Sequence, residues 1–236
     1  MSEIEMTKSS QPDHETLHDA LVDRMIADLR PVRRIWPLSV RLALWIALEV
    51  AVLLLIVGHT PRADLAQQVR DPWYLVGVGI FALAGVIGAS FALRAAVPGR
   101  EPRAMEIGFL LVLTVASAFL LLHEPFNASL SVGKFIATGL PCALGIMMFA
   151  ALPWFALLWA VKRAAPLSPG LDGALIGAAA FLCSFALMRV DCPIDEGLHL
   201  FMWHFLPAVG GIALSAFVGT VFLKRRSRTT SESRRR

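Results

Sequence analysis

The 236-residue chain carries 22 lysines and arginines against 18 aspartates and glutamates, a net charge of +4, and 56% of its residues are hydrophobic, with a mean hydropathy of +0.64. That balance excludes an ordinary soluble domain, whose apolar share is lower, and three cysteines exclude a disulfide scaffold. The surplus positive charge sits in loops and tail, where it orients a chain in a membrane, so no direct nucleic-acid contact is expected.

Residues 1–12 are polar and read as disordered. From Asp13 the pattern changes: Leu17, Leu21, Met25 and Leu29 fall at helical spacing, with acids and arginines between them. This predicts an amphipathic helix over about 15–30, closed by Pro31. Apolar runs then recur, each long enough to cross a hydrocarbon core of about 30 Å. They predict six spans near 39–58, 73–93, 104–122, 139–161, 171–190 and 203–223. The expected class is therefore all-α: a polytopic membrane protein with six transmembrane helices, preceded by a cytoplasmic amphipathic helix. Three parts follow: an arm (1–38), the transmembrane domain (39–223) and a basic, disordered tail (224–236).

Lysines and arginines set the orientation. With the N-terminus inside, inner segments hold Arg24, Arg30, Arg33, Arg34, Arg41, Arg94, Arg100, Arg103, Lys162, Arg163 and the tail, whereas the outer side holds only Arg62, Arg70, Lys134 and Arg189. Both termini are therefore expected in the cytoplasm. Glycines in spans two, five and six suit close helix packing in lipid. Glu49 lies mid-span and should face the bundle.

In this topology Cys142 opens the fourth span at its outer end, Cys192 lies in the last outer loop, and Cys183 is mid-span and reads as packing. Thiols on an oxidising side can pair when their Cα atoms come within about 7 Å, but nothing local brings these two together. The outer face also gathers His59, His123, Glu124, Asp191, Asp195, Glu196, His199 and His204. Thiols and imidazoles suit soft or borderline metals, with Cys192, His199 and His204 as candidate ligands. The motif is weak, for there is no C-x-x-C and no H-x-x-x-H, and the nearby acids should keep the Cys192 thiol protonated. No nucleotide loop or catalytic spacing occurs, so neither an enzyme nor a cofactor is expected. A small ion-coupled carrier using Glu49 and the outer histidines is the alternative reading.

Three pieces of the chain resemble the NrsF-type membrane anti-sigma factors. They are the arm Leu21-Val-Asp-Arg-Met-Ile-Ala-Asp-Leu-Arg-Pro-Val-Arg-Arg34, the inner loop Arg94-Ala-Ala-Val-Pro-Gly-Arg100, and Cys192-Pro193 with Trp203 downstream and Cys142 opening the fourth span. Where the family often has His-Cys-Pro-Glu-Asp, Asp191 replaces the histidine and Ile194 intervenes before Asp195. The resemblance implies an inner-membrane protein that restrains an extracytoplasmic-function sigma factor. It implies Cys142 and Cys192 as sensors of oxidants or thiol-reactive metals. It places the sigma-binding surface on the arm, at Leu17, Leu21, Met25, Leu29, Arg33 and Arg34.

Overall fold

The computed structural model describes residues 14–27, 35–59, 61–121, 124, 131–164 and 166–223. It falls into two units that divide after Ile35. In the first, α1 spans His14–Ala27. Leu21, Val22, Met25 and Ile26 are all exposed on it and form an apolar stripe. Leu29, Arg33 and Arg34 lie outside the described residues, as does the Leu17 side chain.

The described residues of the second unit form helices joined by loops: α2 (Leu38–His59), the short α3 (Leu65–Gln68), α4 (Pro72–Ala95), α5 (Ala104–Leu120), α6 (Val132–Lys162), α7 (Pro169–Asp191), the single turn α8 (Gly197–His199), a π-helical turn over Leu200–Phe205, and α9 (Leu206–Phe222). The chain is an all-α, membrane-type protein. Five of its helices are long and apolar enough to cross a membrane. At 17 residues α5 is shorter, at the lower limit for a span.

Two predicted boundaries move. Helix α6 begins at Val132 instead of residue 139, and runs through Pro141 and Pro153. Membrane helices tolerate proline because neighbours can satisfy the freed backbone groups. The last span begins at Gly197 instead of residue 203, through α8 and the π turn. Cys142 is thus ten residues, about 15 Å of helix rise, inside α6 and does not open it.

Helix α7 is the centre. It is apolar around its whole circumference, as a fully surrounded helix must be, and nearly every side chain from Asp172 to Val190 is buried. Small residues let its neighbours close in. A Cβ at Gly85 of α4 would sit 2.4 Å from the Cys183 sulfur, and one at Gly173 of α7 would sit 2.4 Å from the Ser215 carbonyl on α9. The Ser215 hydroxyl donates to the Gly173 carbonyl (2.6 Å) and accepts from the Trp154 indole (2.7 Å), tying α6, α7 and α9 together. Phe81 and Phe185 stack across α4 and α7 with centroids 3.9 Å apart.

Candidate functional site

The C-terminal end of α7 delivers the site. Cys192 caps the helix with extended backbone (φ −80°, ψ 124°), the conformation a residue before proline prefers. Its sulfur lies 3.5 Å from the Cys142 sulfur on α6, across 50 residues of sequence, with Cys142 donating. All three cysteines are free thiols, and 3.5 Å is well beyond the about 2.05 Å of a disulfide bond. Cys183 is held elsewhere, its thiol donating to the Ala82 carbonyl at 3.7 Å.

Two imidazoles complete the cluster. His199 Nε2 is 3.6 Å from the Cys192 sulfur, and the His199 and His204 rings meet edge to face at 5.3 Å. Both histidines are fully buried. The π turn explains their approach. On an α-helix residues five apart point about 140° away from each other. A π turn bonds i to i+5, which stacks such residues one above the other. Ligand atoms of Cys142, Cys192, His199 and His204 all lie within 4.8 Å of one another. This set could hold a metal.

The electrostatics of Cys192 differ from expectation. The hydrogen bond donated by Cys142 pulls its thiol pKa down, burial pushes it up, and the two imidazoles add to the downward side. The net is a thiol below its ordinary range. Of the acids predicted to keep it protonated, Asp195 and Glu124 are engaged with arginines.

Arg62, read from the sequence only as a charge marking the outer side, is almost fully buried. Its guanidinium donates to Asp64 (2.7 and 3.0 Å), to both oxygens of Asp195 (3.0 Å for the Oδ1 contact), and to the carbonyls of Arg189 (3.5 Å) and Pro193 (3.4 Å). Its backbone N–H donates to the Val190 carbonyl at 3.1 Å. Burial lowers the Arg62 pKa, but its carboxylate partners outweigh that and raise it overall. Hydrogen bonds from Arg62 and Gln68 hold Asp64 well below the usual carboxylate range. Arg189 pairs with Glu124 (3.1 Å) and Asp195 (3.2 Å). The Tyr74 hydroxyl donates to the Arg189 carbonyl at 2.9 Å, so Tyr74 is buried in this network instead of lying in an interfacial belt.

The segment between α7 and α8 is therefore fastened from two sides, by the Cys142 thiol on α6 and by a guanidinium just past α2. Removing one partner of a buried ion pair costs up to about 3–5 kcal/mol, and less here because Asp195 keeps some water contact. Arg62→Ala is expected to lower thermal stability in detergent and to speed alkylation of Cys192 severalfold. Arg62→Lys, which cannot reproduce the forked contacts, is expected to fall between the two.

Trp203 closes the other side. It packs on Phe135 (centroids 5.7 Å apart) and over Gly139, where a Cβ would come within 2.2 Å of the indole ring. Gly139→Val is expected to displace Trp203 and reduce oxidative cross-linking of the two thiols. Gly77→Val, whose Cβ position is open, is expected to leave it unchanged.

His59 is exposed, and His123 lies outside the described residues. Glu49 is buried, with no hydrogen-bond partner among the described residues. It lies near Cys183, about 13 Å of helix rise before Cys192.

Helices of spanning length around a buried thiol–imidazole cluster define a polytopic helical membrane protein. The family model for the negative regulator of sigma F matches residues 25–225, and the chain belongs to that family. No curated protein and no solved structure gives a significant match. The family makes the chain a negative regulator of a sigma factor.

Proposed function

We propose that the protein is a membrane-embedded anti-sigma factor that holds an extracytoplasmic-function sigma factor through its N-terminal arm and releases it when Cys142 and Cys192 react. The observation that carries this reading is the 3.5 Å approach of two buried thiols 50 residues apart. The arm, with Leu17, Leu21, Met25, Leu29, Arg33 and Arg34, is the sigma-binding surface; exposure of Leu21 and Met25 on α1 supports it. An amphipathic helix laid in a partner's groove is a common recognition mode. The protein sits in the bacterial inner membrane with both termini cytoplasmic, which places the thiols toward the periplasm. The arm (1–38), the six-span domain (39–223) and the tail (224–236) divide the work among partner, sensor and lipid.

Oxidation converts two thiols into one disulfide, giving up two protons and passing two electrons to the oxidant. The sulfurs must close from 3.5 Å to about 2.05 Å. Closure draws Cys192 toward α6. The segment that moves carries Asp195, which Arg62 grips, and Arg62 stands just after α2, whose other end continues the arm in sequence. The ion-pair network is thus the coupling between sensor and output. Thiol-reactive metals act on the same sulfurs. Titrating cells with a thiol oxidant while following sigma-dependent transcription tests the reading. Transcription should rise with the oxidised fraction of the pair, and a response independent of that fraction would overturn it.

A further inference from the structure

We propose that Cys142, Cys192, His199 and His204 together form a four-ligand tetrahedral site for a divalent cation of the zinc type, occupied while the thiols are reduced. The inference deepens the thiol-sensor reading above and rests on it for its regulatory meaning.

Geometry comes first. With metal–sulfur bonds of about 2.3 Å and metal–nitrogen bonds of about 2.0–2.1 Å, a tetrahedron has S···S edges of about 3.8 Å and S···N edges of about 3.6 Å. The corresponding distances are 3.5 Å for the two sulfurs and 3.6 Å from Cys192 to His199. His204 completes the set, with every ligand atom within 4.8 Å of the others.

Charge comes second. Two thiolates neutralise a divalent cation and two neutral imidazoles add nothing, so the loaded site is neutral overall. Burial penalises a net charge and tolerates a neutral assembly. The two nearby guanidiniums are engaged by Asp64, Asp195 and Glu124 and do not compete for the sulfurs. Softness comes third. Thiolate and imidazole select zinc-like ions over magnesium or calcium, which prefer oxygen.

The independent pointer to a ligand is the state of His204. It is fully buried at the cluster, and neither of its ring nitrogens has a hydrogen-bond partner among the described residues. A buried imidazole without partners is costly, and a cation at the centre of the four donors would satisfy it.

Loading exchanges thiol protons for the metal ion, with up to two protons released as the sulfurs become thiolates. A sulfur that ligates the ion is not free to form the disulfide, so the loaded protein resists oxidation until the metal leaves. The site then sets the threshold of the sensor.

The test uses the full-length protein, reduced and metal-free in detergent, titrated with cobalt(II) as a spectroscopic probe and competed with zinc. The expected result is one-to-one binding with intense visible bands of tetrahedral cobalt, a thiolate charge-transfer band, and displacement by zinc. Cys142→Ser and Cys192→Ser should each weaken the charge-transfer band. His199→Ala and His204→Ala should weaken zinc binding beyond the about 10–100-fold typical of losing an outer-shell partner. His199→Gln and His204→Asn serve if the alanine variants do not fold. Zinc loading should also slow disulfide formation by a mild oxidant. Weak octahedral spectra in the wild type would overturn the proposal, as would zinc affinity unchanged in both histidine variants. A Cys142–Cys192 disulfide forming without any cobalt binding would sink the metal site and leave the thiol-sensor reading standing. Tetrahedral cobalt with no disulfide under any oxidant would do the reverse.

Discussion

Cys142→Ser and Cys192→Ser are each expected to keep the sigma factor repressed under oxidant, with Cys183→Ser responding like the wild type. The three thiols are all buried, so exposure does not separate them, but geometry does. Cys142 and Cys192 face each other at 3.5 Å, whereas Cys183 donates to a carbonyl of α4. Closing a loop of 50 residues with a cross-link contributes at most about 4 kcal/mol, a factor of about 1,000 in an equilibrium. Nearly complete two-state switching, from 1:99 to 99:1, needs about 5.5 kcal/mol. The wild type is therefore expected to derepress strongly but incompletely, and either serine variant to lose that response. The readout is a sigma-dependent reporter with and without oxidant. Loss of the response in Cys183→Ser alone would assign the sensor to the wrong pair.

Deleting residues 15–34 is expected to release the sigma factor constitutively, whatever the redox state. The deletion also removes Arg24, Arg30, Arg33 and Arg34, which help to orient the first span, so a second variant keeps the prediction clean. Leu21→Glu with Met25→Glu retains every arginine and alters two exposed apolar residues on α1. Central apolar anchors of an interface cost about 2 kcal/mol or more when removed. Losing two weakens binding by about 1,000-fold, enough to free the partner. Co-sedimentation of the sigma factor with membranes measures this directly. Unchanged repression in both variants would move the output to the inner loops.

The helices were legible because long apolar runs leave little choice in lipid. Their ends were less so. Lys134 and Gly133 made the start of α6 read as loop, and Pro193 hid how early the last span begins. Within the site, the sequence placed the two sulfurs on one side of the membrane, but their approach depends on how α6 packs against α7. The histidine pair was offered as candidate ligands, but its close approach was not legible, for a definite reason. Its spacing, H-x-x-x-x-H, separates two ligands on an α-helix and stacks them only on the π turn over Leu200–Phe205. Pro207 was the available signal. It withdraws an N–H from the preceding turn, a place where helices deform. Arg62 was missed because a loop arginine reads as a topology marker, and only tertiary structure shows it buried among carboxylates and carbonyls.

The most direct measurement is disulfide mapping of the full-length protein in membranes, by non-reducing proteolysis and mass spectrometry, alongside sigma-factor release in the same samples. The account predicts a peptide linking Cys142 to Cys192 that accumulates in step with release and vanishes on reduction. Release under oxidant that proceeds while both thiols stay unlinked would contradict it.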